Sequence, residues 1–146
     1  GNGGSAADAQ HIASELSGKF YYNDKTPLYA EALHVNSSYL TAVANDYGYQ
    51  EVYSRIVEAK GRKGDILIGI STSGNSCNVL NAVIKGREKG MFTIGFLGND
   101  GGKMLDLCDI CFVVPHGNTA LIQEIHTIIG HEICSSVEKS LFFSDN

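Results

Sequence analysis

No apolar run in this chain approaches the roughly 18 residues that a membrane span requires. No charged leader precedes an apolar segment, so no signal peptide is expected. Basic residues are few: 11 Lys and Arg stand against 16 Asp and Glu, a formal charge of −5. That balance supplies no general footprint for nucleic acid or for an anionic membrane. Local anion sites stay open, because backbone N–H groups bind phosphate without net positive charge. Nucleotide fingerprints are missing too. There is no G-x-x-x-x-G-K-[ST] loop, and the opening Gly1-Asn2-Gly3-Gly4-Ser5 has no glycine at its sixth position. No acidic residue follows a second strand to hold a ribose, so neither nicotinamide nor ATP use is supported.

The four cysteines, at 77, 108, 111 and 134, do not make a zinc motif. Cys108 and Cys111 have C-x-x-C spacing, but Asp109–Val114 reads as a strand and the other two are isolated. Buried reduced thiols of a cytosolic protein are the expectation. With 43% apolar and 18% charged residues, the chain suits one compact domain over residues 1–146 rather than a disordered tail.

Hydrophobic periodicity sets out the elements. Ala9, Ile12, Ala13 and Leu16 recur at helical spacing within Ala6–Ser17, and Gly18 is a stop. Tyr29–Val35 predicts a short strand, Ser37–Ala44 a brief helix, and Asn45-Asp46-Tyr47-Gly48 a turn. Gln50–Ala59 is amphipathic. Asp65–Ile70 is a short apolar run, β-branched and suited to a strand buried on both faces. Val79, Leu80, Val83 and Ile84 form one helical face that Gly90 ends. Phe92–Leu97 and Ile110–Val114 are further strands, and Thr119–Leu141 is a long helix. The alternation predicts an α/β domain with a mainly parallel sheet covered by helices. A loop like Gly1–Ser5 normally follows a strand, so a preceding strand near the sheet centre is expected.

Between the strand ending at Ile70 and the next helix stand Ser71, Thr72, Ser73, Gly74, Asn75 and Ser76. Such a turn exposes several N–H groups at a helix N-terminus, and the hydroxyls add donors. A phosphate monoester is the natural guest; a loop of ordinary caps is the plainer reading. Gly1–Ser5 offers close backbone approach to a small ligand, with Asn2 and Ser5 donating. Two polar pairs fall on helix faces: His11 with Glu15 at i,i+4, and Gln123 with His131 at i,i+8. If those faces converge, one carboxylate and one imidazole suit a proton-shuttling isomerase. The same four side chains suit a borderline divalent ion such as zinc. Surface ion pairing is the simpler alternative. His126 reads as structural, and Asp46 as a turn-former or a ligand for sugar hydroxyls.

These residues together resemble the sugar isomerase (SIS) domain, and within it the bacterial phosphoheptose isomerases. The likeness runs through Gly1–Gly18, Thr41–Gly48, Gly64–Ser76, Arg87–Gly90, Gly101–Met104 and Ile122–His131. It implies a three-layer α/β/α sandwich, with an N-terminal helix and first strand of the family absent from this chain. It implies a cytoplasmic homotetramer with active sites at subunit interfaces. The implied reaction turns sedoheptulose 7-phosphate into D-glycero-D-manno-heptose 7-phosphate, the first step of ADP- or GDP-heptose biosynthesis for lipopolysaccharide or capsule. By motif, Glu15 is the implied general base and His131 the general acid. His11, Glu15, Gln123 and His131 match zinc ligands, one Zn2+ per subunit. Asn2, Gly3, Gly4, Ser5, Glu15, Asn45, Asp46, Ser71, Thr72, Ser73, Ser76 and Gln123 match substrate contacts. Lys19 departs, standing where many members carry Arg; it keeps the charge and loses the bidentate fork. Two rivals stay open: a noncatalytic SIS-fold binder of phosphosugar or protein, and an isomerase of another phosphosugar.

Overall fold

The computed structural model describes residues 1–143. In chain order the elements are α1 (Gly4–Ser17), α2 (Ser37–Tyr47), α3 (Val52–Lys60), β1 (Ile66–Ser71), α4 (Cys77–Glu88), β2 (Phe92–Gly98), β3 (Ile110–Val114) and α5 (Thr119–Phe142). Single 3₁₀ turns lie at Tyr49–Glu51 and Gly102–Met104. The strands form one parallel sheet in the order β1-β2-β3, with Ile66 opposite Phe92 and Ile94 opposite Ile110. No described helix is long and apolar enough to cross a membrane.

Alternation along the strands splits the core into two layers. Ile68, Ile70, Ile94 and Phe96 face Ile12 and Leu16 of α1 and Ile133 and Cys134 of α5. Leu67, Leu97 and Val113 face the other way, onto Val57 of α3, Val79 and Val83 of α4, and Met104. Helices thus cover both faces, as parallel strands require.

Three expectations need correction. Tyr29–Val35 is not a strand: residues 18–36 run without regular structure, and Tyr29 is 90% exposed. A strand needs a hydrogen-bonding neighbour, and no described residues run alongside this segment. Asn45 and Asp46 are not turn residues but the last turn of α2, which Gly48 ends. Of the cysteines only Cys134 is buried; Cys77 is exposed, and Cys108 and Cys111 are half-buried. Burial pushes the Cys108 thiol up to about 12 and the Cys134 thiol to about 11, so both stay protonated.

The helices α1 and α5 lie side by side and run the same way. Gln123 sits against Gly4, Thr127 Oγ1 donates to Asp8 Oδ1 at 2.8 Å, and Ile12 touches Gly130. At that same level His131 meets His11, and past the end of α1 a buried carboxylate, Glu138, meets Lys25. Burial raises the Glu138 carboxyl, but the N–H groups of Tyr21 and Phe20 and the Lys25 ammonium outweigh it, bringing it down to about 2. A carboxyl depressed on folding contributes stability above its unfolded value and loses it as pH falls toward the folded one. Thermal unfolding followed by circular dichroism should therefore show a falling Tm between about pH 4.5 and pH 2, and a flatter profile in Glu138→Gln.

Beside β1 runs an apolar groove of about 720 Å³, lined by Ile12 and Leu16, Ile66 and Ile68, and Val57 and Ile133. Its lining includes the Glu31–Lys60 ion pair and His34, but not His11, Glu15 or His131. The polar chemistry gathers elsewhere, around the carboxyl ends of the strands and along the α1–α5 seam.

Candidate active site

The hydroxyl loop leaves β1 as a closed knot of short contacts. Ser71 Oγ lies 3.1 Å from Ser76 Oγ and 3.5 Å from Ser73 Oγ, and Gly74 N donates to the Ser71 carbonyl at 3.0 Å. Ser76 occupies the N-cap of α4 but makes no side-chain cap hydrogen bond. Its hydroxyl is turned to Ser71 instead, which removes the plain capping reading for this residue. Gly74 is at φ +63, and a Cβ there would lie 1.9 Å from the Gly101 carbonyl oxygen. Only glycine lets the loop 98–104 close against it, where Met104 N donates to the Gly74 carbonyl at 3.1 Å.

Two helix N-termini converge here. Asn2, just ahead of α1, exchanges amide hydrogen bonds with Asn78 in the first turn of α4, at 2.9 and 2.8 Å. Tyr49 OH donates to the same Asn2 Oδ1 at 3.0 Å. Asn2 therefore spends its side chain on fixing α1 to α4. Ser5 is buried in the first turn of α1, and its N–H bonds the Asn2 carbonyl. Gly4 lets the Gln123 amide lie against α1, where a Cβ would stand 2.7 Å from it. Gly3, Gly4, Ser5, Gln123 and the loop from Ser71 through Thr72 and Ser73 to Ser76 thus share one end of the molecule. The positive ends of two helix dipoles point there, which suits a phosphate.

The titratable residues lie two to three turns further along. His11 Nε2 is 2.9 Å from His131 Nε2 and 3.5 Å from Glu15 Oε1. The His131 ring also rests beside Phe20, with centroids 5.6 Å apart. Carboxylate, imidazole and imidazole form one row across the α1–α5 seam, reachable from solvent, with the His11 side chain 49% exposed. Asn45 and Asp46 are not gathered in: Asn45 Nδ2 bonds Asp46 Oδ1 at 2.9 Å, on the exposed end of α2. His126 is fully buried, its Nε2 2.9 Å from the Leu97 carbonyl, and burial pulls its pKa down.

The SIS domain family matches residues 1–98 of this chain. A phosphoheptose isomerase of Rhodospirillum rubrum is 53% identical over 141 residues, which are 97% of this chain and 74% of that protein. One from Nitratiruptor is 55% identical over 140 residues, 96% of this chain and 74% of the relative. The chain belongs to the phosphoheptose isomerase family of SIS-domain proteins. Solved structures agree. A phosphoheptose isomerase from Neisseria gonorrhoeae superposes with a TM-score of 0.89 at 47% identity, covering 95% of this chain and 73% of that one. A phosphoheptose isomerase from Francisella tularensis gives 0.90 at 37% identity, covering 94% and 73%.

Within this phosphoheptose isomerase fold the expected zinc set does not form. Among the described residues no group of three or more His, Cys, Asp and Glu stands where it could hold a metal ion. The reason is geometric. His11 and His131 aim their Nε2 atoms at each other, so the N–H of one occupies the lone pair of the other. Gln123 lies eight residues before His131, about 12 Å along α5, and packs on Gly4 instead. Sequence reading also missed Asn78 and Tyr49, the partners of Asn2. An amide 76 residues away carries no periodic signal, and only the fold puts the two together.

Proposed function

We propose that this chain isomerises sedoheptulose 7-phosphate to D-glycero-D-manno-heptose 7-phosphate, the first step toward ADP- or GDP-heptose. The carrying observation is the row Glu15–His11–His131 on the same helix pair whose other end holds the hydroxyl loop. The substrate phosphate docks on Ser71, Thr72, Ser73 and Ser76, held by hydroxyls and by the N-termini of α1 and α4. Glu15 takes the proton from C1 of the open-chain ketose and returns it at C2. His131 gives a proton to O2 and receives the one leaving O1, so no net proton is gained or lost. The enediolate charge that develops between these steps is met by preorganised hydrogen-bond donors on the oxygen side, His131 first among them.

The active form in this reading is a homotetramer with sites at subunit interfaces. Two observations support it. Leu121, Ile125 and Ile128 are 51%, 41% and 60% exposed and form one outward stripe of α5. Gly4 and Glu15 are eleven residues apart, about 16 Å along α1, a separation within one chain that a site completed by a second copy would not have to span. The test is an NMR assay with sedoheptulose 7-phosphate on the purified chain. Appearance of the aldose with solvent deuterium at C2 is the expected result; an unchanged sugar spectrum from a folded protein would overturn the proposal.

A further inference from the structure

Two charged side chains that the site does not use lie inside the protein. Lys25 Nζ and Glu138 Oε1 are 3.1 Å apart, with side chains 1% and 0% exposed. A buried ion pair is a poor source of stability, because desolvation consumes most of its attraction. Its contacts show what it holds. Lys25 Nζ also donates to the Glu15 carbonyl at 2.6 Å and the Leu16 carbonyl at 3.1 Å, in the last turn of α1. All three ammonium hydrogens are thereby engaged, two of them on carbonyls that helix ends leave without intrahelical donors. The Glu138 carboxylate accepts from Phe20 N at 3.0 Å and Tyr21 N at 2.9 Å. Phe20 in turn lays its ring beside the His131 ring, 33° from parallel.

We propose that Lys25 and Glu138 are positioning residues for the acid–base pair: Lys25 fixes the backbone that carries Glu15, and Glu138 fixes the aromatic ring that backs His131. This rests on the acid–base reading above. Glu138 follows His131 by seven residues, two helical turns on the same face, so the pair ties α1, the 18–26 segment and α5 at one point. An apolar pair of equal volume could fill the space. It could not accept two adjacent N–H groups and cap α1 at once, so the cost of losing the pair falls on geometry more than on packing.

The experiment measures steady-state turnover of sedoheptulose 7-phosphate, with thermal unfolding of every variant alongside. The wild-type chain comes first: no turnover there removes the acid–base reading itself. In Lys25→Met/Glu138→Gln both charges leave together, so no buried ion is stranded. We expect kcat to fall about 100-fold, the scale of a misplaced catalytic group. KM should stay within about twofold, because the phosphate loop sits at the opposite end of α1. Phe20→Leu removes only the ring and should lower kcat about tenfold at unchanged KM. Wild-type kcat in the folded double variant, or a loss carried by KM, overturns the proposal. Should the double variant fail to fold, Phe20→Leu decides: the kcat loss supports the proposal, and wild-type kcat overturns it.

Discussion

Glu15→Gln should lose turnover of sedoheptulose 7-phosphate by about 100- to 10,000-fold, the range that a positioned general base supplies. The substitution keeps the shape of the side chain and its capacity to hydrogen bond, and removes only its ability to take a proton. Little else should change. The Glu15 side chain is 21% exposed, and its contact with His11, at 3.5 Å, lies at the surface of the seam. Exposed pairs of that kind contribute little to stability, so the variant should unfold near the wild-type temperature. KM should hold, since the phosphate contacts belong to the 71–76 loop. The decisive reading is exchange of the C1 hydrogen with D2O in the presence of substrate. In Glu15→Gln it should fall together with turnover. Wild-type turnover in this variant would move the base elsewhere.

Most of the fold was legible because its elements obey one period at a time. Of the face Val79, Leu80, Val83 and Ile84 predicted for α4, the first three are buried and Ile84 is exposed. The strands β1, β2 and β3 were visible as short apolar runs, and the parallel pairing of β1 with β2 follows from α4 between them. The segment Tyr29–Val35 reads as a short strand too and is none, because a sequence pattern describes a strand's faces and says nothing of its neighbours. Asn45-Asp46 reads as a turn by composition and is helical by position, since Gly48, three residues on from Asn45, supplies the stop.

The site was legible in part for the same reason. Spacing put His11 and Glu15 on one face, and i,i+4 is one turn, so the two do meet at 3.5 Å. Spacing also put Gln123 and His131 on one face, but i,i+8 is more than two turns, and a shared face is not a shared site. The zinc tetrad failed on that distance. Lys25 and Glu138 gave no signal at all: a lysine in an irregular segment and a glutamate near the end of a long helix both read as solvated. Only the folded chain shows them buried against each other, 113 residues apart in number (138 − 25).

His131→Ala separates the two proton-transfer roles. The ring contacts His11 on one side and Phe20 on the other, so truncation leaves a gap at a half-open seam rather than in the core, and the fold should persist. His11 Nε2 has a single hydrogen to give. His131 Nε2 at 2.9 Å and Glu15 Oε1 at 3.5 Å both lie within reach of it, and one hydrogen serves one of them at a time. A free carboxylate remains a competent base when His131 is gone. The enediolate should then still form and be reprotonated at C1, while the transfer between O2 and O1 that completes isomerisation is lost. Turnover should fall about 100-fold or more, on the scale of a general acid. Exchange of the C1 hydrogen with D2O should fall less, so the ratio of exchange to isomerisation should rise above its wild-type value. Glu15→Gln should show no such rise. If both variants lower exchange and turnover in equal proportion, His131 serves the C1 deprotonation itself, and the division of labour between carboxylate and imidazole drawn above is wrong.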